Sequence, residues 1–530
     1  MNFFIEPAFV VPTRKAAVPH FSDFYFYHFP KVSGQYAVDK HAARRGDSAL
    51  PGAGVNTKRP LWNELHAISV ARNTFFPEIN GGTNMDLCKC GLFILTGLLS
   101  AACGGDNIDN NNGYDRESDS DSDITSARGD LVDTPIVKST QSIAQIDQVT
   151  TDNGLQVLTG PAECDVKVVQ LNYRTPGVQP AEMTNASAAL MIPDGTDQGC
   201  QGPLPLIVFA RPTVLEKAHT NAGDLTNPIA MLLITIFASQ GYAVVATDYL
   251  GYALSDYPYH PYMHADSEVS AVIDSIRAAR NAGPSLGLTL NGKVMVSGYS
   301  QGGHAAMATQ RAIERDNADE FNLVAAAHLA GPYNVSEALI DGAANPILGV
   351  QYFVPFQITA WQQVYGDLYA DANEVFNAPY DSLIEGLLPA VNFPDDLAEL
   401  PAEATEPAVA RNELFQSAYL TDLATNPNNA TIVAAKKQDL SGWKPKAPTI
   451  LCGGAGDPTV KFNVNAQGLY DDFQSQGAAD VSLVDVDPTI EAIYGSVLTD
   501  DPATYYKNYH GVYESPLCAS EARKFFDQYK

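Results

Sequence analysis

The chain is short of positive charge. Its 530 residues hold 32 Lys and Arg against 61 Asp and Glu, a net charge of −29. A phosphate backbone would be repelled, so nucleic acid is excluded as a partner. Long apolar runs are also missing. The longest clean one, Gly91–Ala102, has twelve residues, and crossing a bilayer takes about 20. The seven cysteines form no C-x-x-C pair and have no matching His spacing, which removes the usual signature of a structural zinc site. No internal repeat is present, so a solenoid or propeller is excluded.

What is there changes character along the chain. Residues 1–84 carry nine Lys and Arg against six Asp and Glu, four of the ten His, and no sustained period of 2 or 3.6. They look foreign to the rest, and the expectation is that they lie upstream of the true start, Met85. From Met85 a short head with Lys89 leads into the twelve-residue apolar run and then Cys103. That is the layout of a signal peptide over residues 85–102. Leu99-Ser-Ala-Ala-Cys103 resembles a bacterial lipobox, with Ser100 where Leu is usual. The resemblance implies that Cys103 is lipidated and anchors the protein to a membrane. Residues 103–130 are acidic and nearly free of apolar side chains. Such a segment cannot offset its ordering entropy and reads as a tether.

Removing the signal and the lipid site leaves Cys164, Cys200, Cys452 and Cys518. An even number in an exported domain suggests two disulfides, and three pairings are possible. Cys164–Cys200 and Cys452–Cys518 are favoured, since each pair flanks one end of the domain.

Residues 131–530 read as one folded domain. Strand patterns at 165–173, 186–192, 205–210, 242–248, 294–298 and 322–327 alternate with helical ones at 232–240, 267–282 and 301–314. The alternation predicts an α/β fold, a mostly parallel sheet with helices on both faces. It stops at Gly331 and resumes at Pro448. Residues 331–446 are aromatic and helical in character, which predicts an inserted cap or lid over an apolar site.

The chemistry centres on Gly298-Tyr299-Ser300-Gln301-Gly302. This is the G-x-S-x-G pattern of a nucleophile elbow, in which small residues on either side let a strained turn expose the serine. Gly283-Pro284-Ser285-Leu286-Gly287 matches too, but it precedes a strand and reads as a loop. Ser300 alone sits between a strand and a helix. A serine needs a base to take its proton and an acid to orient that base. In this fold they follow in the order Ser, acid, His. Asp457 lies where a strand ends in Gly-Gly-Ala-Gly, and His510 is the only His beyond it. The oxyanion would be held by backbone N–H groups of Gln301 and, because Pro212 has none, Thr213.

From about Cys164 to Lys530 the sequence resembles the α/β-hydrolase superfamily. Asp248-Tyr-Leu-Gly-Tyr, His260-Pro-Tyr-Met-His264 and Gly298-Tyr-Ser-Gln-Gly-Gly-His304 resemble its secretory lipase branch. One departure is Ala210-Arg-Pro-Thr, where such proteins tend to have His-Gly-Thr. The resemblance implies an α/β-hydrolase fold and an exported serine hydrolase that cleaves carboxylic esters, small or lipid, without a metal or cofactor. It implies core or supporting roles for His260, His264 and His304. A serine peptidase on the same fold is the alternative, with the acidic run Glu399–Glu406 reading a free amine. Oligomeric state is not legible.

Overall fold

The computed structural model describes residues 127–179, 181–401 and 406–530. The expected signal segment, Cys103 and most of the acidic tether lie outside them. Among the described residues no helix is long and apolar enough to cross a membrane.

A nine-stranded sheet organises the domain. Its strands are β1 (Ile136–Gln141), β2 (Asp165–Pro176), β3 (Met183–Asp194), β4 (Leu204–Ala210), β5 (Ala243–Tyr249), β6 (Leu290–Tyr299), β7 (Asn322–Leu329), β8 (Thr449–Gly453) and β9 (Val481–Asp485). Their order is β1-β2-β3-β5-β4-β6-β7-β8-β9. The first three strands pair antiparallel, and β3 runs antiparallel to β5. From β5 to β9 every pairing is parallel.

Both faces are covered. In β4 and β5 every residue is buried, as continuous apolar runs require of central parallel strands. Alternate residues enter two different cores. Ile207 and Phe209 pack with Phe237, Met295 and Phe526 on one face. Leu206 and Val208 pack with Ile276, Val296 and Ile313 on the other. The second core contains the helix Ala265–Leu286, whose small residues Ala271, Ala278, Ala279 and Ala282 bring it close to the sheet.

The insertion between β7 and β8 forms a cap with a hydrophobic cluster of its own. Phe356, Trp361, Phe376, Phe415 and Tyr419 are buried in it. Two disulfides brace the sheet. Cys164–Cys200 ties β2 to the turn after β3, and Cys452–Cys518 ties β8 to the last helix, Ser515–Phe526.

Several elements differ from the sequence reading. Residues 127–130, assigned to the tether, pack on the domain: Arg128 pairs with buried Asp274 at 3.1 Å, and the Gly129 N–H donates to the Arg174 carbonyl. Strand β1 went unseen because it is a mostly exposed edge strand, with no apolar alternation to mark it. Residues 283–286 are the last turn of a helix rather than a loop, and the Ser285 hydroxyl is spent on the Ala282 carbonyl. The helix Asp487–Asp500 buries only Ile490 and so carries little periodicity. The stretch around His510, for which the sequence pattern predicts no helix, is helical throughout: Pro502–Asn508, a π-helical turn at Tyr509–Glu514, then Ser515–Phe526.

Candidate active site

Ser300 stands at the carboxyl end of β6, between that strand and the helix Gln301–Asp316. Its φ is +58° and ψ is −121°, a conformation that costs a non-glycine residue about 1–3 kcal/mol. The neighbours explain how the turn is held. A Cβ on Gly298 would lie 2.1 Å from the Gly302 carbonyl oxygen, and one on Gly302 would lie 1.8 Å from that of Ala210. Both positions must be glycine for the helix to start this close to β4. The Ser300 N–H donates to the Leu329 carbonyl at 2.9 Å, fastening the elbow to β7.

Asp457 ends the turn after β8. Gly454 and Gly456 make that turn passable, since a Cβ on either would strike Tyr509 or Asp487. The Asp457 carboxylate is buried and accepts from the Thr459 N–H at 2.8 Å. Its other oxygen lies 2.7 Å from His510 Nδ1, and His510 Nε2 lies 2.8 Å from Ser300 Oγ. Hydrogen placement follows from the partners. Nδ1 carries the hydrogen and donates to Asp457, so Nε2 is free to accept the serine proton. Burial opposes a charge on His510, but the Asp457 carboxylate and the hydrogen bonds at Nδ1 outweigh it and hold its pKa above the ordinary imidazole value.

Gln301 follows the serine at the start of its helix, with its backbone N–H in the first turn where the helix supplies no acceptor. Thr213 lies at the mouth of the loop after β4 and shares a cavity wall with Ser300 and His510. Arg211, whose role the sequence left open, settles the orientation of that loop. It is fully buried. Its guanidinium donates to the carbonyls of Pro212 at 3.0 Å and Asp248 at 3.1 Å, and stacks 4.1 Å from the centre of the Tyr252 ring. In a trans peptide the C=O and the following N–H point opposite ways. With the Pro212 carbonyl turned toward Arg211, the Thr213 N–H is turned away from it.

The secretory lipase family model matches residues 217–489, just over half of the chain. The chain belongs to the secretory lipase family. Among solved structures it is similar to the rice cell wall degrading esterase LipA from Xanthomonas oryzae in a ligand-bound form. The two are 33% identical with a TM-score of 0.67, over 76% of this chain and all of that one. A hydrolase structure from Legionella pneumophila shares the fold at 21% identity and a TM-score of 0.62, over 75% of this chain and 98% of its own. A curated relative, the secreted triacylglycerol lipase LIP2 of Malassezia furfur, is 28% identical over 171 residues. That match covers 31% of this chain and 35% of the relative, about a third of its length.

In this member of the family His260, His264 and His304 are buried supports. The His260 Nδ1–H donates to the Leu250 carbonyl at 3.0 Å, so its Nε2 accepts from the Gln301 side-chain amide at 2.7 Å. Burial holds His260 well below its usual pKa and keeps it neutral. The second hydrogen of the same amide goes to Glu268 at 2.7 Å. His264 packs against Ser267, and His304 Nε2 donates to the Gln438 carbonyl. Two acids were missed from sequence. Glu268, in the first turn of its helix, is 1% exposed and pins Gln301. Glu514 is buried against His510; its signal was the four-residue spacing from His510, legible once that stretch is known to be helical.

Two cavities meet at Ser300. One, of about 600 Å³, is walled by Thr213, Leu225, Met231, Phe353 and His510. The other, of about 100 Å³, is narrower and runs under the cap between Leu339, Val350, Phe415 and Leu423. The run Glu399–Glu406 falls partly outside the described residues.

Proposed function

We propose that this protein is an exported serine hydrolase that cleaves carboxylic esters, with Ser300 as nucleophile, His510 as base and acid, and Asp457 as its orienting partner. The observation that carries the reading is the unbroken chain from Ser300 Oγ through both nitrogens of His510 to Asp457. It opens on cavities lined mainly by apolar side chains. The names of the relatives, an esterase and a triacylglycerol lipase, support an ester as substrate.

The steps follow from the geometry. Ser300 Oγ attacks the ester carbonyl while His510 Nε2 takes its proton. The imidazolium that forms is stabilised by Asp457. The carbonyl oxygen, now negative, is held by the N–H groups of Gln301 and Thr213. His510 returns the proton to the leaving alcohol, and water repeats the sequence on the acyl-enzyme. The apolar acyl part lies against the cap. Anchoring through a lipidated Cys103, with the acidic segment as spacer, places the domain at a membrane surface.

The test is turnover of p-nitrophenyl esters of increasing chain length, with aminoacyl anilides alongside. Ser300→Ala is expected to lose roughly 10⁴-fold or more in kcat, along with labelling by a fluorophosphonate. An undiminished Ser300→Ala variant refutes the assignment, and turnover of anilides alone refutes the ester. Cys103→Ser is expected to release the protein from membranes; retention there refutes the anchor.

A further inference from the structure

Two carboxylates, not one, reach the same nitrogen of His510. Asp457 Oδ2 is 2.7 Å from Nδ1 and Glu514 Oε2 is 3.2 Å from it. One donor atom from each of the three side chains falls within 4.8 Å of the others. Glu514 is 0% exposed. A serine triad requires one acid, and nothing in that chemistry requires a second.

Counting hydrogens shows what state the second acid is in. The imidazole base has one hydrogen on Nδ1, and the shorter contact assigns it to Asp457. The Tyr299 hydroxyl reaches both the His510 backbone carbonyl, in a very short contact, and Glu514 Oε2, at 3.1 Å. It has one hydrogen to divide between the two. An ionised Glu514 would then have its Oε2 competing with the His510 carbonyl for the Tyr299 hydrogen and with Asp457 for the Nδ1 hydrogen. Its Oε1 is buried with no hydrogen-bond partner. That is an anion with almost no donors in a dry site, which costs several kcal/mol. A proton on Glu514 removes the difficulty, because the carboxylic acid then has a hydrogen to donate, and the Asp457 carboxylate lies in the same buried cluster, within 4.8 Å.

We propose that Glu514 is a positioning residue that works as a neutral carboxylic acid, donating a hydrogen bond to Asp457 and so leaving a single negative charge on the His510 imidazole. The inference rests on the triad proposed above and deepens it. Its consequence is for the base. Two anions beside Nδ1 would keep the imidazole protonated through the neutral range, where it must be free to accept a proton. One anion orients the ring without saturating it.

The surroundings agree. The titratable groups facing the pair are Asp457 from the turn after β8, Tyr299 from β6, Tyr333 after β7, and Tyr509 on the same helical turn, whose hydroxyl is held by Asp487. All are acids; His510 is the single base in the set. Burial, then the charge of Asp457, raises the Glu514 pKa well above the carboxylate range.

Two measurements test this. The first is the pH profile of kcat/KM for Glu514→Gln, which keeps the donor and cannot ionise. The expected result is an acidic limb moved by less than about half a unit. Removing a true anion beside the ring would lower that limb by about one unit or more; a downward move of half a unit or greater overturns the proposal. The second is infrared difference spectroscopy at neutral pH, which needs no turnover. A protonated-carboxyl C=O band is expected in the parent and missing from Glu514→Gln. Glu514→Asp serves the same comparison should the glutamine variant fail to fold, with the band expected to shift or vanish. A spectrum unchanged by either substitution overturns the proposal. Fluorophosphonate labelling of Ser300 reports on the triad separately, so failure of one reading is not mistaken for failure of the other.

Discussion

Arg211→Met is the sharpest probe of the oxyanion loop. The substitution keeps the length of an unbranched stem and removes the guanidinium. Two hydrogen bonds are lost, to the carbonyls of Pro212 and Asp248, each worth about 1.5–3 kcal/mol for a charged donor. The stacked contacts with Tyr252 and Tyr249, at 4.1 and 5.2 Å, add about 1–2 kcal/mol. Against this stands relief from burying a cation with no carboxylate in direct contact, worth several kcal/mol. The net cost to stability is expected to be about 2–4 kcal/mol, read from urea unfolding. The catalytic effect is separate. Without a donor on the Pro212 carbonyl, the Pro212–Thr213 peptide is free to rotate and the Thr213 N–H loses its fixed orientation. Loss of one oxyanion donor costs about 10²–10³ in kcat, with KM little changed, because the charge appears only in the transition state. Arg211→Lys is expected to recover little, since one ammonium cannot serve two carbonyls and stack as a plane. A folded Arg211→Met protein with kcat within threefold of the parent refutes both the loop argument and Thr213 as donor.

Two further outcomes follow from the same structure. The double variant Cys452→Ala/Cys518→Ala opens a loop of 66 residues and is expected to lose about 4 kcal/mol of stability, measured as a lower urea midpoint; a midpoint within error of the parent refutes that entropy argument. The acidic limb of kcat/KM reports His510, whose neutral form is the active one. Because Asp457 favours the charged form, the limb is expected above the ordinary imidazole value of 6.5, activity falling as pH drops through it. A limb at or below that value contradicts the assigned hydrogen bond.

The legible parts of the sequence were those where backbone geometry dictates residue type. The elbow is readable because Gly298 and Gly302 leave no room for a Cβ. Strands β4 and β5 are readable because burial on both faces favours unbroken apolar runs, as in Leu204–Ala210 and residues 243–246. Asp457 is readable because a strand end followed by glycines places it on the active edge of the sheet. The parts that stayed hidden depend on long-range contacts. Glu268 and Glu514 are charged residues in helices, and charge on a helix ordinarily means a solvated face; only the fold buries them. The role of Arg211 depends on two aromatic rings about forty residues away in the chain. The π-helical turn under His510 breaks the 3.6-residue period that would have revealed a helix.

The cap has a separate hydrophobic cluster, meeting the sheet side mainly through Leu215, Tyr262 and Met263. That partition has an evolutionary reading. Substitutions inside the cluster reshape the wall above Ser300 while leaving the elbow glycines, the Asp457 turn and the two disulfides untouched. Selection can therefore explore new pockets on one half of the molecule while holding the other constant. Drift within the family is expected to concentrate between β7 and β8, so that two members differing greatly there still place serine, histidine and aspartate in the same arrangement.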